Sequence, residues 1–416
     1  MIAHASILMT LAVVFGAFMA WGIGANDVAN AMGTSVGSKA LTIKQALCVA
    51  AVFELAGCLL AGGQVTDTIR KGIINPAMFT HDPQLLVYGM LASLLAAGTW
   101  LLIATQRGWP VSTTHSIIGA IIGFALINFG PHAVEWGELT GIVSSWVISP
   151  LIAGFIAFVI FMSIQKFIFN TSDPFARAKK ITPIYIFFVA FVITMVTVNK
   201  GLAHMNLHIT FAESIPLAAA FSLFIAFLGG LLLRRIKPSG KDKRFAHFAD
   251  VEKIFAVLMI FSACSMAFAH GSNDVANAIG PLAAVVSILQ TGAVVAKATL
   301  PFWILLIGGL GIVVGLATYG YKVMATIGKN ITELTPSRGF SAEVAAASTI
   351  VLSSGTGLPV STTQVLVGAV LGVGFARGIG ALNLRVIRNI FMSWVVTLPA
   401  GAILAAIFYW ILQAIF

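Results

Sequence analysis

Two short stretches of this chain hold residues able to bind ions inside otherwise apolar sequence. Gly24-Ala25-Asn26-Asp27-Val28-Ala29-Asn30-Ala31 recurs as Gly271-Ser272-Asn273-Asp274-Val275-Ala276-Asn277-Ala278, with seven of eight positions identical. An ionised carboxylate at the centre of a membrane helix costs roughly 2.5–3.5 kcal/mol on insertion scales. A chain that accepts that cost twice, with two Asn around each Asp, uses the groups. On a helix, the spacing from Asn26 to Asn30 and from Asn273 to Asn277 puts both amides on one face, with Asp27 or Asp274 beside them. Carboxylate and amide oxygens suit hard cations such as Na+, and amide N–H groups can donate to an anion.

A second pair of motifs offers the complementary chemistry. Pro110-Val111-Ser112-Thr113-Thr114-His115 recurs as Pro359-Val360-Ser361-Thr362-Thr363-Gln364. Pro pre-sets a helix start, and Ser and Thr then fall at the cap and first turn. Hydroxyls and the free N–H groups of a helix N-terminus bind an anion without a fixed positive charge. Two such ends can grip a tetrahedral oxyanion from opposite sides. No Lys or Arg lies in any of the four motifs, so an anion beside Asp27 and Asp274 needs a bound cation or protonated aspartates. Cation coupling follows from that charge count.

Each feature alone has a plainer reading. Ser and Thr in membrane helices commonly bond their own backbone or a neighbouring helix, and Gly-Pro pairs can be simple kinks. The duplication in the same order outweighs those readings for the set. Glu54, in the middle of an apolar run, has Pro301 at its repeat position. It is either a second coupling-ion ligand or a buried partner for a Lys or a polar helix face. His115 stands opposite Gln364 and reads as a hydrogen-bond donor, with proton carriage as the alternative. Cys48, Cys58 and Cys264 have no CxxC and no His at ligand spacing, and read as small buried thiols.

The elements that carry these motifs must be membrane helices. The chain has 416 residues, 59% hydrophobic and 9% charged, against about 25% charged in soluble domains. The fold class is therefore an all-α polytopic membrane protein, with about 10–12 spans. The stretch 1–24 lacks the basic region and cleavage site of a signal peptide and reads as a retained span. The net charge of +10 is no nucleic-acid signature, because eleven basic residues cluster in two loops. One holds Lys166, Arg177, Lys179 and Lys180; the other holds Arg234, Arg235, Lys237, Lys241, Lys243, Arg244 and Lys253. The positive-inside bias makes both loops cytoplasmic, and the two apolar runs between them, 182–200 and 214–233, return the chain to the same side.

Further spans are expected over 7–23, 43–62, 85–104, 138–169, 251–269, 285–297, 301–327 and 384–416, the last broken or kinked near Pro399. The Gly-rich segment 22–38 is expected to leave helical geometry, and Gly280-Pro281 to break the helix that follows the second Asn-Asp motif. The polar segment 64–83 reads as an external or re-entrant loop. Gly108-Trp109-Pro110 and the stretch 355–359 are read as breaks ahead of short apolar segments.

The motif pairs are offset by 247 residues (Gly24 to Gly271) and 249 residues (Pro110 to Pro359), and Ser145-Trp146 recurs as Ser393-Trp394 at 248. Two homologous halves, 1–170 and 250–416, are thus joined by a two-span connector, 171–249. An odd number of crossings per half, with both termini outside, makes the halves inverted repeats with broken or re-entrant helices, the plan of secondary transporters.

At these motifs the chain resembles the inorganic phosphate transporter (PiT) family of cation-coupled symporters, whose signature is a duplicated G-A-N-D-x-A-N-A-like segment with P-x-S-T-T-[HQ]-like segments. The resemblance covers both halves. It implies uptake of inorganic phosphate with Na+ or H+ by alternating access. It places Asn26, Ser112, Thr113, Thr114, His115, Asn273, Ser361, Thr362, Thr363 and Gln364 at the phosphate. Asp27, Asn30, Asp274, Asn277 and Glu54 are set at the coupling ion, with Asp27 and Asp274 as Na+ ligands. Pro-Val-Ser-Thr-Thr in both halves and the Phe53-Glu54 context resemble the sodium-coupled branch; Gln364 in place of a second His departs from the pattern. The short connector resembles prokaryotic members and implies the plasma (inner) membrane.

The expected partners are phosphate, Na+ and the lipid bilayer, with a homodimer compatible and no cofactor besides the coupling ion. The alternatives are a proton-coupled phosphate or metal-phosphate symporter and, from another class, an intramembrane hydrolase using Ser112 or Ser116 with His115. The last is disfavoured, because adjacent residues on one helix do not readily form a nucleophile–base pair.

Overall fold

In hydrocarbon every backbone polar group must be bonded within the protein, so long apolar runs become long helices. The computed structural model describes residues 4–199, 210–238, 245–294, 300–330, 333–378, 380 and 382–416. Lys241, Lys243 and Arg244 of the second basic loop and the end of the 285–297 run lie outside them. The helices run α1 (Ala5–Gly37), α2 (Ile43–Ala61), α3 (Gly63–Lys71), α4 (Pro83–Gln106), α5 (Thr113–Phe129) and α6 (Trp136–Ile164) in the first half. The connector supplies α7 (Pro174–Asn199) and α8 (Phe211–Arg234); α9 (Phe245–Thr291), α10 (Phe302–Asn330), α11 (Pro336–Gly355), α12 (Thr362–Arg377) and α13 (Leu384–Ile415) follow. Among the described residues, nine helices are long and apolar enough to cross a bilayer, and α5 and α12 are shorter apolar helices. The chain is a multi-pass, all-α membrane protein.

Packing repeats under exchange of the halves. The helices α1, α2, α4, α5 and α6 correspond to α9, α10, α11, α12 and α13. Accordingly α1 packs on α10 and α2 on α9, α5 on α13 and α12 on α6, and α4 on α13 and α11 on α6. Each half thus lends helices to the other. Two large apolar cores result, beside a third around the connector helices. One gathers Leu8, Ile23, Leu94 and Phe124 with Val275, Leu282 and Tyr409; the other gathers Met32, Ala153 and Ala267 with Ile350, Val367 and Trp394. The Asn-Asp motifs lie where one core gives way to the other.

Two expected interruptions do not occur. Helix α1 runs unbroken through the Gly-rich segment to Gly37. A Cβ on Gly24 would fall 1.9 Å from the Ile312 carbonyl oxygen of α10, and one on Gly315 would fall 1.9 Å from that of Trp21. Glycine here lets two helices touch backbone to backbone. The other half repeats the device, since a Cβ on Gly271 would lie 2.2 Å from the Glu54 oxygen and one on Gly57 2.1 Å from the Phe268 oxygen. Likewise α9 continues past Gly280-Pro281 to Thr291, joining the expected 251–269 and 285–297 spans. Proline removes one backbone donor, and the buried Leu282, Ala283 and Val285 hold the following turns in the core.

The expected breaks of the second motif pair are present. Between α4 and α5, Gly108 turns the chain at φ 66°, and between α11 and α12 its counterpart Gly357 does so at φ 80°. A left-handed residue at this point suits glycine. The segment 64–83 is partly helical, as α3 and a short turn at Pro76–Phe79. Helix α13 is continuous through Pro399. Of the thiols, Cys58 is buried and Cys264 partly so, whereas Cys48 is exposed on α2 beside the outward-facing Val52 and Phe53.

Candidate functional site

The capping chemistry of the Pro-Val-Ser-Thr-Thr motifs sets two helix starts facing each other. Ser112 caps α5 by accepting from His115 N at 3.2 Å, and Ser361 caps α12 by accepting from Gln364 N at 3.3 Å. The next two residues, Thr113 and Thr114 or Thr362 and Thr363, are buried and open the first turn, where the N–H groups have no partner within the helix.

Within each half, the first Thr holds the aspartate. Thr113 Oγ1 donates to Asp27 at 2.8 Å, and Thr362 Oγ1 donates to Asp274 at 2.7 Å. The second Thr crosses to the other half: Thr114 Oγ1 donates to the Val360 carbonyl and Thr363 Oγ1 to the Val111 carbonyl, each at 3.1 Å. The asparagines cross too. Asn30 donates to Thr363 at 2.8 Å, and Asn277 to Thr113 and Thr114 at 3.2 Å. Asn26 and Asn273 instead brace the breaks from behind, Asn26 against Thr105 and the Trp109 carbonyl, Asn273 against Ser354 at 3.0 Å. All four motifs meet in one buried cluster.

Asn30 and Asn277 spend their N–H groups on these bonds. Asn30 Oδ1 and Asn277 Oδ1 are buried without a hydrogen-bond partner among the described residues. Leaving a buried acceptor unsatisfied costs about 1–3 kcal/mol, and here it happens at equivalent positions of both halves. Two unpaired amide oxygens beside two carboxylates are a ligand set for hard cations.

The charge pattern is richer than the motifs indicate. His270, one residue before the second motif, is fully buried; its Nε2 lies 2.9 Å from Asp274 and its Nδ1 lies 3.3 Å from Glu54. Ligand atoms of Asp27, His270 and Asp274 all fall within 4.8 Å of one another. Glu54 therefore joins the site through an imidazole rather than through a Lys. His270 escapes the sequence reading because the repeat has Ile23 in its place, and a search guided by duplication passes over it. Glu343 escapes likewise. It lies on α11, buried, and accepts from Thr34 at 2.5 Å, Ser35 at 2.6 Å and Ser262 at 2.5 Å.

His115 and Gln364 occupy the same first turns as the threonines but line a cavity with Trp146 and Trp394 of α6 and α13. The hydrogen-bonded cluster around Asp27 and Asp274 is built without their side chains.

The model of the phosphate transporter family matches residues 23–405. A Haemophilus influenzae protein described as a phosphate permease is 55% identical over 99% of this chain and 98% of its own length. The chloroplastic inorganic phosphate transporter 2-1 of Arabidopsis thaliana is 46% identical over 96% of this chain and 71% of its own. Among solved structures, a sodium-dependent phosphate transporter superposes with a TM-score of 0.92 at 41% identity, covering 99% of this chain and 100% of the other. Paired Asn-Asp helices, paired Thr-bearing helix starts and this likeness over nearly every residue have one meaning: the chain is a transporter rather than an enzyme and belongs to the phosphate transporter family.

Proposed function

We propose that the chain imports inorganic phosphate together with Na+ by alternating access. The observation that carries the reading is the pair of unpartnered amide oxygens, Asn30 Oδ1 and Asn277 Oδ1, beside Asp27 and Asp274. An acceptor-only ligand set calls for a cation. Three buried carboxylates, Asp27, Asp274 and Glu54, outnumber the single imidazole of His270, so more than one cation must enter before an oxyanion can approach.

The residues divide accordingly. Asp27, Asn30, Asp274 and Asn277 present oxygens to Na+, and the first turns of α5 and α12 present hydroxyls and N–H groups to phosphate. Ser112 and Ser361 fix those turns, while Asn26 and Asn273 hold the breaks in register. Glu54 acts through His270, which orients the Asp274 carboxylate; an imidazole is a poor ligand for Na+. The inverted arrangement of 1–170 and 250–416 about 171–249, with both termini outside the plasma membrane, supplies the alternation.

The His270 contacts with Asp274 and Glu54 also support a second reading, in which a proton replaces one Na+.

Phosphate uptake into proteoliposomes under an imposed Na+ gradient at fixed pH, and separately under a pH gradient alone, tests both. Na+-driven uptake lost in Asp27→Asn and Asp274→Asn is the expected result. Uptake driven by the pH gradient alone would move the protein to proton coupling, and no uptake under either gradient would overturn the reading.

A further inference from the structure

The cavity lined by His115 and Gln364 opens on the membrane side of the two helix starts. It encloses about 740 Å³ between α5, α6, α12 and α13, within the range of small-molecule sites. Its outer wall faces lipid: Leu151 is 68% exposed, Phe155 69% and Val395 67%. Its inner end is polar. His115, Trp146, Gln364 and Trp394 line it, all more than nine-tenths buried.

Four groups at that inner end are unsatisfied. Both ring nitrogens of His115, Gln364 Oε1, and the indole Nε1 of Trp146 and of Trp394 make no hydrogen bond among the described residues. The Gln364 side chain and the Trp394 backbone are the hydrogen-bonding groups beside the His115 ring, and the Trp146 ring lies 3.9 Å from it, centroid to centroid. Buried polar groups are normally paired. Here two indole donors, an amide acceptor and an imidazole, which offers one of each, end a chamber whose remaining walls are Val, Leu, Phe, Gly and Pro150.

From this we infer that the cavity binds a free long-chain fatty acid, carboxyl group inward and alkyl chain along α6 and α13. A protonated carboxyl accepts from an indole N–H and donates to Gln364 Oε1 or an imidazole nitrogen. A phospholipid ester can only accept, and an alkane does neither. The site stands apart from the phosphate reading, yet it bears on it: His115 and Gln364 are bonded through their backbone N–H to Ser112 and Ser361, so an occupant sits on the back of the two turns that hold Asp27 and Asp274.

The test uses the full chain in proteoliposomes and a hexadecanoic acid carrying a mid-chain diazirine. After photolysis, labelled peptides are mapped, and hexadecanoic acid, its methyl ester and hexadecane compete. Label is expected in 143–158 and 391–398, displaced by the acid, with the ester needing roughly tenfold more, about one hydrogen bond's worth, and the alkane, which makes neither bond, more again. Trp146→Phe with Trp394→Phe removes both indole donors and is expected to lower labelling by a similar factor. Should that variant fail to fold, the competition series on the unaltered chain still decides.

Three results would overturn the inference. Equal competition by acid and ester would mark an ordinary bilayer lipid. Label spread alike over α7 and α8 would mark general membrane contact. A Val147→Cys to Val395→Cys crosslink between two chains would show a second copy covering the cavity.

Discussion

Two equivalent corners of the molecule are built in opposite ways. Where α11 meets the C-terminal part of α1 and the N-terminal part of α9, Glu343 is buried and holds Thr34, Ser35 and Ser262 by hydrogen bonds. At the corresponding corner, α4 meets the other ends of the same two helices with Leu94, Pro281, Leu282 and Phe15, read at the repeat offsets. Leu94 and Leu282 are fully buried there, with Phe15 packed against them. The backbone contacts obey the exchange of halves; the charges do not. His270 and Glu54 break the symmetry again, opposite Ile23 at the repeat offset and Ile312 in the equivalent backbone contact. Duplication supplies the scaffold, and single substitutions on one side supply the ionisable groups.

The comparison can be pressed hardest at the glycines, where the two halves should behave alike. Gly24→Ala forces a Cβ into the Ile312 carbonyl and Gly271→Ala one into that of Glu54. Both should cost more than about 3 kcal/mol, the upper end of overpacking, and appear as loss of monodisperse protein on size-exclusion chromatography. Gly137→Ala, with nothing within 4 Å of its Cβ, should be neutral or slightly stabilising. Equal tolerance of all three would remove the close-approach account of the glycine-rich segments.

Next come the aspartates. Asp27→Asn and Asp274→Asn each remove a charge from the buried site, and Na+-driven phosphate uptake should fall roughly a hundredfold or more, the scale of about 3 kcal/mol. A large loss in one variant and little in the other would show that the site's symmetry is only geometric.

The unlike corners should respond for unlike reasons. Glu343→Gln keeps the shape but turns an acceptor toward Ser262 into a donor, at a cost of about 1–3 kcal/mol. Leu94→Gln buries an amide in a dry core at a similar cost. Thermal unfolding in detergent measures both. Adding Ser at position 15 to Leu94→Gln should recover part of its loss, and no recovery would mean that the apolar corner cannot host the polar design.

The smallest expected effect belongs to the crossing threonines. Thr114→Val and Thr363→Val each delete the hydrogen bond to the opposite break and the acceptor used by Asn277 or Asn30, about 1–2 kcal/mol, so uptake should fall by roughly five- to thirtyfold in both. Markedly different losses would show that one break carries the site more than the other.

Much of this site could be read from sequence, since the four motifs advertise their chemistry locally: a cap residue, a threonine in the first turn, two amides on one helix face. The glycines could not be read as reliably. A Gly-rich run has the same letters whether it breaks a helix or lets another helix touch it, and the choice is made by α10, hundreds of residues away. His270 was hidden because no duplicate marks it, and the partner of Glu54 is a tertiary fact. His115 and Gln364 share a motif with the threonines but point elsewhere, because side chains one and two positions along a helix leave it in different directions.

The pairing of α1 with α10 also sets an order of events during synthesis. Trp21 Nε1 bonds Thr318 Oγ1 across 297 residues of sequence. At about 5–20 residues per second, the glycine-lined face of α1 waits some tens of seconds after leaving the ribosome before its partner exists. During that interval the first half holds Asp27 and Glu54 in the bilayer without Asp274 or His270. The nascent chain must keep that polar surface covered by lipid headgroups, water or the insertion machinery, and the finished site is one of the last parts of the molecule to form.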